Sequence, residues 1–414
     1  MIKKIFVIIS VLLFAGTGVF ASYTYPNLFW DDVTFAPTST RIEGMGGSGI
    51  STSNGLDSIY MNPANLASQS FSMYLPSVSV TAFNAKNIVD SGLIQDIMDG
   101  NAGPATAGKY LDTITADKGE LLTTDVSTGF AGGGFALSLN LQEQLHNLDT
   151  GADTNVVAEI NAAAAVALGI NIGLVEDAVS VDIGATVRPT YKAYTQKISG
   201  QGLFSTFMDE TNDDVLNSLL EDNMLTAGYA IPIDVGVNVN LPIGFRLSGV
   251  MRNINGSYTM KNYSEAGAWV NEILAFASQD PIYEDEAPTA TISGETTIVV
   301  PATIDLGFGW APQLGWGIKP VLSVDLVDVE GMIEDLETDD QAFWNYMRAG
   351  AEVKLLSALN ARFGINQGYM SIGAGFDLLL FHIDASYYWR EYGENIGDNP
   401  VDALSIRFNL GIDG

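Results

Sequence analysis

Only two imidazoles occur in the chain, His146 and His382, and there is no cysteine. Neither histidine belongs to an HExxH pattern, and no GxSxG or Walker sequence is present. Ser386 shares a strand face with His382, but four residues along a strand span about 13 Å, too far for a nucleophile and its base. No enzyme activity, metal or cofactor is therefore expected. The chemistry-bearing residues are of another kind: charges set at alternate positions among apolar ones, namely Asp182, Arg188, Asp234, Arg246, Arg252, Asp305, Asp325, Arg348, Glu352, Arg362, His382, Asp384, Arg390 and Arg407. Such mixed signs suit a closed interior built of hydrogen-bonded ion pairs, because lone charges there would be costly. One or two of the arginines could also bind a carboxylate through the planar guanidinium fork.

The elements that must carry these charges are strands. Ile231, Ile233, Val235, Val237, Val239 and Leu241 alternate with Pro232, Asp234, Gly236, Asn238 and Asn240. Ile298, Val300, Ala302, Ile304, Leu306, Phe308 and Trp310 form a second such row, and Phe381, Ile383, Ala385, Tyr387 and Trp389 a third. Segments at 179–188 and 404–410 repeat the pattern. Each apolar face runs for about ten residues, the length a strand needs to cross a bilayer, and several end in an aromatic as an interfacial girdle would. Strands in soluble proteins average five or six residues.

Strand starts near Phe71, Thr124, Phe135, Val156, Val179, Leu225, Phe245, Thr296, Lys319, Trp344, Leu359, Tyr369, Phe381 and Ala403 give about fourteen strands, an even number as single-chain bacterial barrels require. Short connections, such as 131–134, 241–244 and 356–358, alternate with long ones, such as 85–123, 200–224 and 260–295. The long side would face outwards. The fold class expected is all-β, a transmembrane antiparallel β-barrel. Pro189, Pro232, Pro301 and Pro320 fall inside strands, and each removes a ladder donor, so each predicts a bulge or kink.

Composition agrees. The chain has 414 residues, a formal charge of −31, only 16% charged residues, 47% hydrophobic ones and 43 glycines. An acidic surface of this kind repels phosphate backbones, which argues against nucleic acid as a partner. Lys3 and Lys4, the apolar run from Ile5 to Phe14, and Val19-Phe20-Ala21 make a secretory signal peptide over residues 1–21. No other run is long enough for a membrane helix.

The stretch from Arg41 to Ala67, RIEGMGGSGISTSNGLDSIYMNPANLA, has neither helical stripe nor strand alternation. Its shape must come from surrounding walls. Gly-Met-Gly-Gly-Ser-Gly followed by Tyr-Met-Asn-Pro-Ala-Asn-Leu-Ala resembles the N-terminal hatch of the outer-membrane long-chain fatty acid transporter (FadL-type) family. The match covers a small part of the chain, and barrels of bacterial secretion systems share it. The resemblance implies a hatch at residues 22–69 inside a barrel of residues 70–414, with Gly44, Gly46, Gly47, Asn62, Pro63 and Ala64 at its centre. It also implies that a strand kink opens a lateral path to the membrane.

Three outer loops carry helical apolar spacing. One holds Val215, Leu216, Leu219 and Leu220, another Trp269, Val270, Ile273, Leu274 and Phe276, and a third Leu93, Ile94, Ile97 and Met98. They either cap the barrel mouth by packing on each other or form a greasy groove for an acyl chain, as loop helices do in the family resembled. On the second reading Leu216, Leu219, Leu220, Trp269, Ile273 and Phe276 contact the ligand. The function expected is passive uptake, by a monomer in the lipid of the cell outer membrane, of a hydrophobic small molecule such as a long-chain fatty acid. The alternative is a structural or secretion-associated barrel that binds protein partners and transports no small molecule.

Overall fold

The computed structural model describes residues 35–413 apart from segments 102–106, 150–153, 176–178, 202–223, 264–265, 281–294, 315–317, 340–341, 356–357 and 394–395 and positions 116, 118, 277 and 313. The signal peptide and Leu216, Leu219 and Leu220 lie outside the described residues. Nineteen strand segments join into one sheet, and they make a closed barrel of 14 strands. These are β1 (Ser72–Phe83), β2 (Gly119–Gly132), β3 (Phe135–Asn147), β4 (Asn155–Val175), β5 (Val179–Val187, Thr190–Thr195 and Ile198–Ser199), β6 (Leu225–Ala230 and Ile233–Asn240) and β7 (Phe245–Ile254 and Tyr258–Tyr263). The circuit continues through β8 (Glu295–Ile298 and Thr303–Trp310), β9 (Ile318–Leu326), β10 (Met347–Leu355), β11 (Leu359–Asn366), β12 (Tyr369–Leu378), β13 (Phe381–Glu391) and β14 (Pro400–Asp413). Every neighbouring pair is antiparallel, and β1 closes the circuit by pairing with both β2 and β14. Closure leaves the sheet no free edge, as a sheet facing hydrocarbon requires.

The alternation read from the sequence sets the two faces. Val166, Leu168, Ile170 and Ile172 of β4, Val235 and Val237 of β6, Leu306 and Phe308 of β8, and Ile406 and Phe408 of β14 are exposed outwards. Their neighbours Asp182, Asp234, Asn238 and Asp305 are buried in the bore. This continuous outward apolar band is a lipid-facing surface. Trp310 stacks on Phe245 with ring centroids 6.0 Å apart, and Tyr387 packs edge-on against Trp389 at 4.7 Å. Among the described residues no helix is long and apolar enough to cross a membrane.

Four sequence expectations change. Ile298 and Val300 do not continue the outward row of Ile304 and Leu306; they are buried on the inner face, while Val299 is exposed. The cause is an interruption at 299–302, centred on Pro301, across which the side-chain parity flips. Trp344 lies in a short helix, Phe343–Tyr346, and β10 begins after it at Met347. β2 begins at Gly119 rather than near Thr124. Pro320 brings no break: β9 runs through it and stays in register with β10 from Ile318 to Leu326.

Candidate functional site

Residues 35–68 run through the bore, and their seats are glycines of the wall. A Cβ on Gly184 of β5 or Gly236 of β6 would collide with Asn62, Pro63 or Ala64, one on Gly350 of β10 with Met45 and Ser48, and one on Gly364 of β11 with Met45 and Gly46. On β8, a Cβ at Gly307 would come 2.9 Å from Ile50. The inner segment is thus pressed backbone to backbone against strands on opposite sides of the barrel. Gly46 and Gly47 turn the chain there with φ of +66° and +72°, a region that side-chain-bearing residues rarely adopt.

Asn62-Pro63-Ala64-Asn65 is a structural knot. The Asn62 side chain accepts from the Ala64 N–H at 3.0 Å, capping a 3-10 turn whose first position is the proline. Its amide donates to the Ile50 carbonyl at 3.1 Å and to Asn238 of β6 at 2.8 Å. Asn65 donates to the same carbonyl and to Ser53, and accepts from Asn238 and from Arg246 of β7. All six hatch residues singled out from the sequence, Gly44, Gly46, Gly47, Asn62, Pro63 and Ala64, are buried in these contacts.

The inward charges hold the segment in place. Asp325 accepts from the backbone N–H groups of Gly49 and Ile50 at 2.6 and 3.0 Å. Arg252, paired with Asp305, donates to the carbonyls of Tyr60 and Met61 at the end of the helix Asp57–Met61. Arg188 donates to the Phe35 carbonyl at 2.7 Å and pairs with Asp234 at 3.0 Å. On the opposite wall a chain of charges runs from Arg41 to Glu352 at 2.9 Å, from Glu352 to Arg362 at 2.6 Å, and from Arg362 to Asp384 at 2.5 Å. Arg390 reaches Glu43 at 2.8 Å and Glu120 at 3.3 Å. Of the sequence-derived arginines, Arg246 and Arg348 show no carboxylate partner among the described ion pairs; Arg246 donates to Asn240, Ser51 and Asn65, and Arg348 borders the central cavity.

That cavity measures about 410 Å³ and lies between the inner segment and the wall from β1 to β5. Phe35, Ile42, Leu56, Tyr60 and Met61 supply its apolar lining; Lys192 and Glu159, 3.0 Å apart, stand on its far wall. A volume of this order suits a small ligand, for which pockets commonly measure about 300 to 1,000 Å³. Glu120, Glu159 and Lys192 were not among the sequence-derived site residues. Their signal was present, since Glu159-Ile160-Asn161 and Tyr191-Lys192-Ala193 alternate like the other strands.

One side of the wall differs from the rest. β5, β6, β7 and β8 are all interrupted, at 188–189, 231–232, 255–257 and 299–302. The breaks are contiguous across the sheet: Arg188 N–H donates to the Pro232 carbonyl, and the Asn255 amide to that of Ile231. Inside, an apolar cluster of Val157, Tyr194, Tyr258, Met260, Ile298 and Val300 lies next to the breaks. Outside, the helix Ala266–Phe276 packs against the outward residues Ala193, Leu225, Ala227 and Tyr263. The small alanines let the helix approach. Trp269 is buried there and donates to Tyr191 Oη at 2.8 Å, whereas Ile273 and Phe276 are exposed, Phe276 at 95%. This loop helix therefore lies against the exterior of the wall, with Trp269 anchoring it and two of the sequence-derived ligand residues pointing away. Burial opposes ionisation of Glu272, yet hydrogen bonds from Lys261 and Tyr263 hold its carboxyl below the ordinary value. On the remaining loop, Leu93 is buried while Ile94 and Met98 are exposed.

Fold and bore together define a plugged transmembrane β-barrel of the outer-membrane type. No family model and no curated protein matches the sequence. Among solved structures the chain is similar, over 91% of its length, to 99% of the "TodX deltaS2S3 mutant monoaromatic hydrocarbon channel" at TM-score 0.48 and 9% identity. It is similar over 91% of its length to 97% of the CymD monoaromatic hydrocarbon channel at TM-score 0.46 and 10% identity. A Pseudomonas aeruginosa FadL homologue aligns over 91% of this chain and 98% of its own at TM-score 0.40 and 12% identity.

Proposed function

We propose that the protein is a passive channel that admits hydrophobic molecules, long-chain fatty acids among them, across the outer membrane. The observation that carries this reading is the row of four adjacent strand breaks beside an apolar inner cluster and a cavity of about 410 Å³. A hydrophobic solute in the cavity has a greasy inner wall beside it and, at the breaks, a stretch where the wall's own ladder is already open. Breaks in a barrel facing lipid leave backbone groups short of ladder partners, which a purely structural barrel has no reason to keep. The inner segment from Gly44 to Ala67 acts as hatch, blocking straight passage and directing the solute sideways. Exposed Ile273 and Phe276 of the outer helix make first contact with the solute. The chain works as a monomer and catalyses nothing.

Uptake of radiolabelled oleate and of toluene by cells producing the protein tests the reading. Deleting Gly44–Ala67 raises nonspecific leakage and abolishes selective uptake. Unchanged uptake of both solutes in the deletion variant rejects the hatch role, and no uptake by the intact protein rejects the channel.

A further inference from the structure

The central cavity is not the only space beside the hatch. A smaller one, about 60 Å³, lies lower in the bore against β10 to β14, and the two share four lining residues: Leu56, Asp57, Tyr74 and Arg407. We propose that the barrel contains a second, hydrophilic path for water and small ions past the hatch, shut at the neck these four residues form. The path runs along β1, β13 and β14, across the bore from the strand breaks.

Chemistry separates it from the hydrophobic route. Among the described residues, Leu56 and Tyr74 are the only hydrophobic ones lining the lower cavity. The rest are polar or charged, with Lys354 on Asp377 at 2.7 Å and Arg362 on Asp384 at 2.5 Å. An apolar solute there would strip polar groups of their partners, while water and hydrated ions replace them at little cost. Four cationic and four carboxylate side chains line this lower space, so its field is balanced and it selects weakly by sign.

The neck has the make-up of a closure that can part. Arg407 Nη1 and Asp57 Oδ1 stand 3.7 Å apart, an ion pair without a hydrogen bond. Each has a firmer partner elsewhere: Ser39 Oγ donates to Asp57 at 2.9 Å, and Arg407 Nη2 donates to the Thr38 carbonyl at 2.9 Å. Parting the pair strands neither charge. Tyr74 crosses the same point, its ring edge-on to His382 at 6.3 Å.

The test is potassium chloride conductance of the purified full chain in planar bilayers, with fold confirmed by heat-modifiable gel mobility. Tyr74→Ala and the double variant Asp57→Ala/Tyr74→Ala are expected to raise single-channel conductance severalfold over the native chain, with little preference for potassium over chloride. Asn409→Trp, which refills the lower cavity in the Tyr74→Ala background, is expected to return conductance to the native level. Folded Tyr74→Ala and double variants that conduct no more than the native chain overturn the proposal. Absence of hydrophobic uptake in the native chain rejects only the function proposed above.

Discussion

Strands β10 to β14 meet the hatch as an unbroken ladder carrying a chain of buried ion pairs, Arg41–Glu352–Arg362–Asp384, whereas β5 to β8 are broken at one level and turn apolar side chains inward beside the breaks. Both walls present glycines to the hatch backbone, so close contact is common to them. They differ in what surrounds that contact. On β10 to β14 the ion pairs are backed by a continuous ladder. On β5 to β8 the pairs Arg188–Asp234 and Arg252–Asp305 also hold the inner segment, but the ladder behind them is incomplete. Both arcs anchor the segment, and one of them has an interrupted wall behind it.

The sharpest way to break this contrast is to spoil the seats. Gly364→Val drives a side chain into Met45 and Gly46, whose backbone cannot yield, and should cost about 3 kcal/mol or more, the upper range for overpacking. Gly173→Val, at a position with open space, should change stability by less than about 0.5 kcal/mol. Urea unfolding in detergent reports both, and equal effects would remove the hatch from the account. Close to Gly364→Val in size, Arg362→Ala leaves Glu352 and Asp384 without this partner and should cost about 3 kcal/mol, the lower end for breaking a buried pair, because water in the lower cavity can reach both carboxylates.

On the broken side, Pro232→Val returns an N–H to the ladder. It should leave stability within about 1 kcal/mol of native or slightly raise it, while lowering hydrophobic uptake. An unchanged uptake rate would show that the breaks are not used. The smallest effect concerns the exterior helix. Because the Glu272 carboxyl is held below its ordinary value, its contribution is present above the unfolded pKa and disappears as pH falls through the folded one. The pair with Lys261 is half exposed, so the change is under about 1 kcal/mol. A shift in Trp269 fluorescence on acidification into the carboxylate range, absent in Glu272→Gln, would report it.

Much of this barrel was legible because lipid and bore impose opposite demands on alternate residues. Val235 and Asp234, or Ile406 and Arg407, reveal their faces by type alone. Strand starts at Phe135, Val179, Leu225, Phe245, Leu359, Tyr369 and Phe381 coincide with those in the structure. The reading stopped short where the outside is not lipid. Ala193, Leu225 and Ala227 face outwards yet lie under a helix supplied by a separate loop, a cover that no local alternation discloses. It also failed across Pro301, where one interruption exchanges inside for outside and sends Ile298 and Val300 into the bore. The asparagines of the hatch were recognisable only as a motif. Their partners, Asn238 and Arg246, come from strands more than 170 residues away, and no local spacing encodes that pairing.

Thr40, at the start of the hatch, shares a hydrogen bond with Ser405 of β14 at 2.9 Å, and Thr81 of β1 donates to that same hydroxyl at 2.9 Å. β1 and β14 are the first and last strands of the circuit, so three hydroxyls meet where the cylinder is sewn shut. The seam therefore holds the inner segment and the two end strands through one hydroxyl, so a change at Ser405 reaches the plug and the closure of the cylinder together.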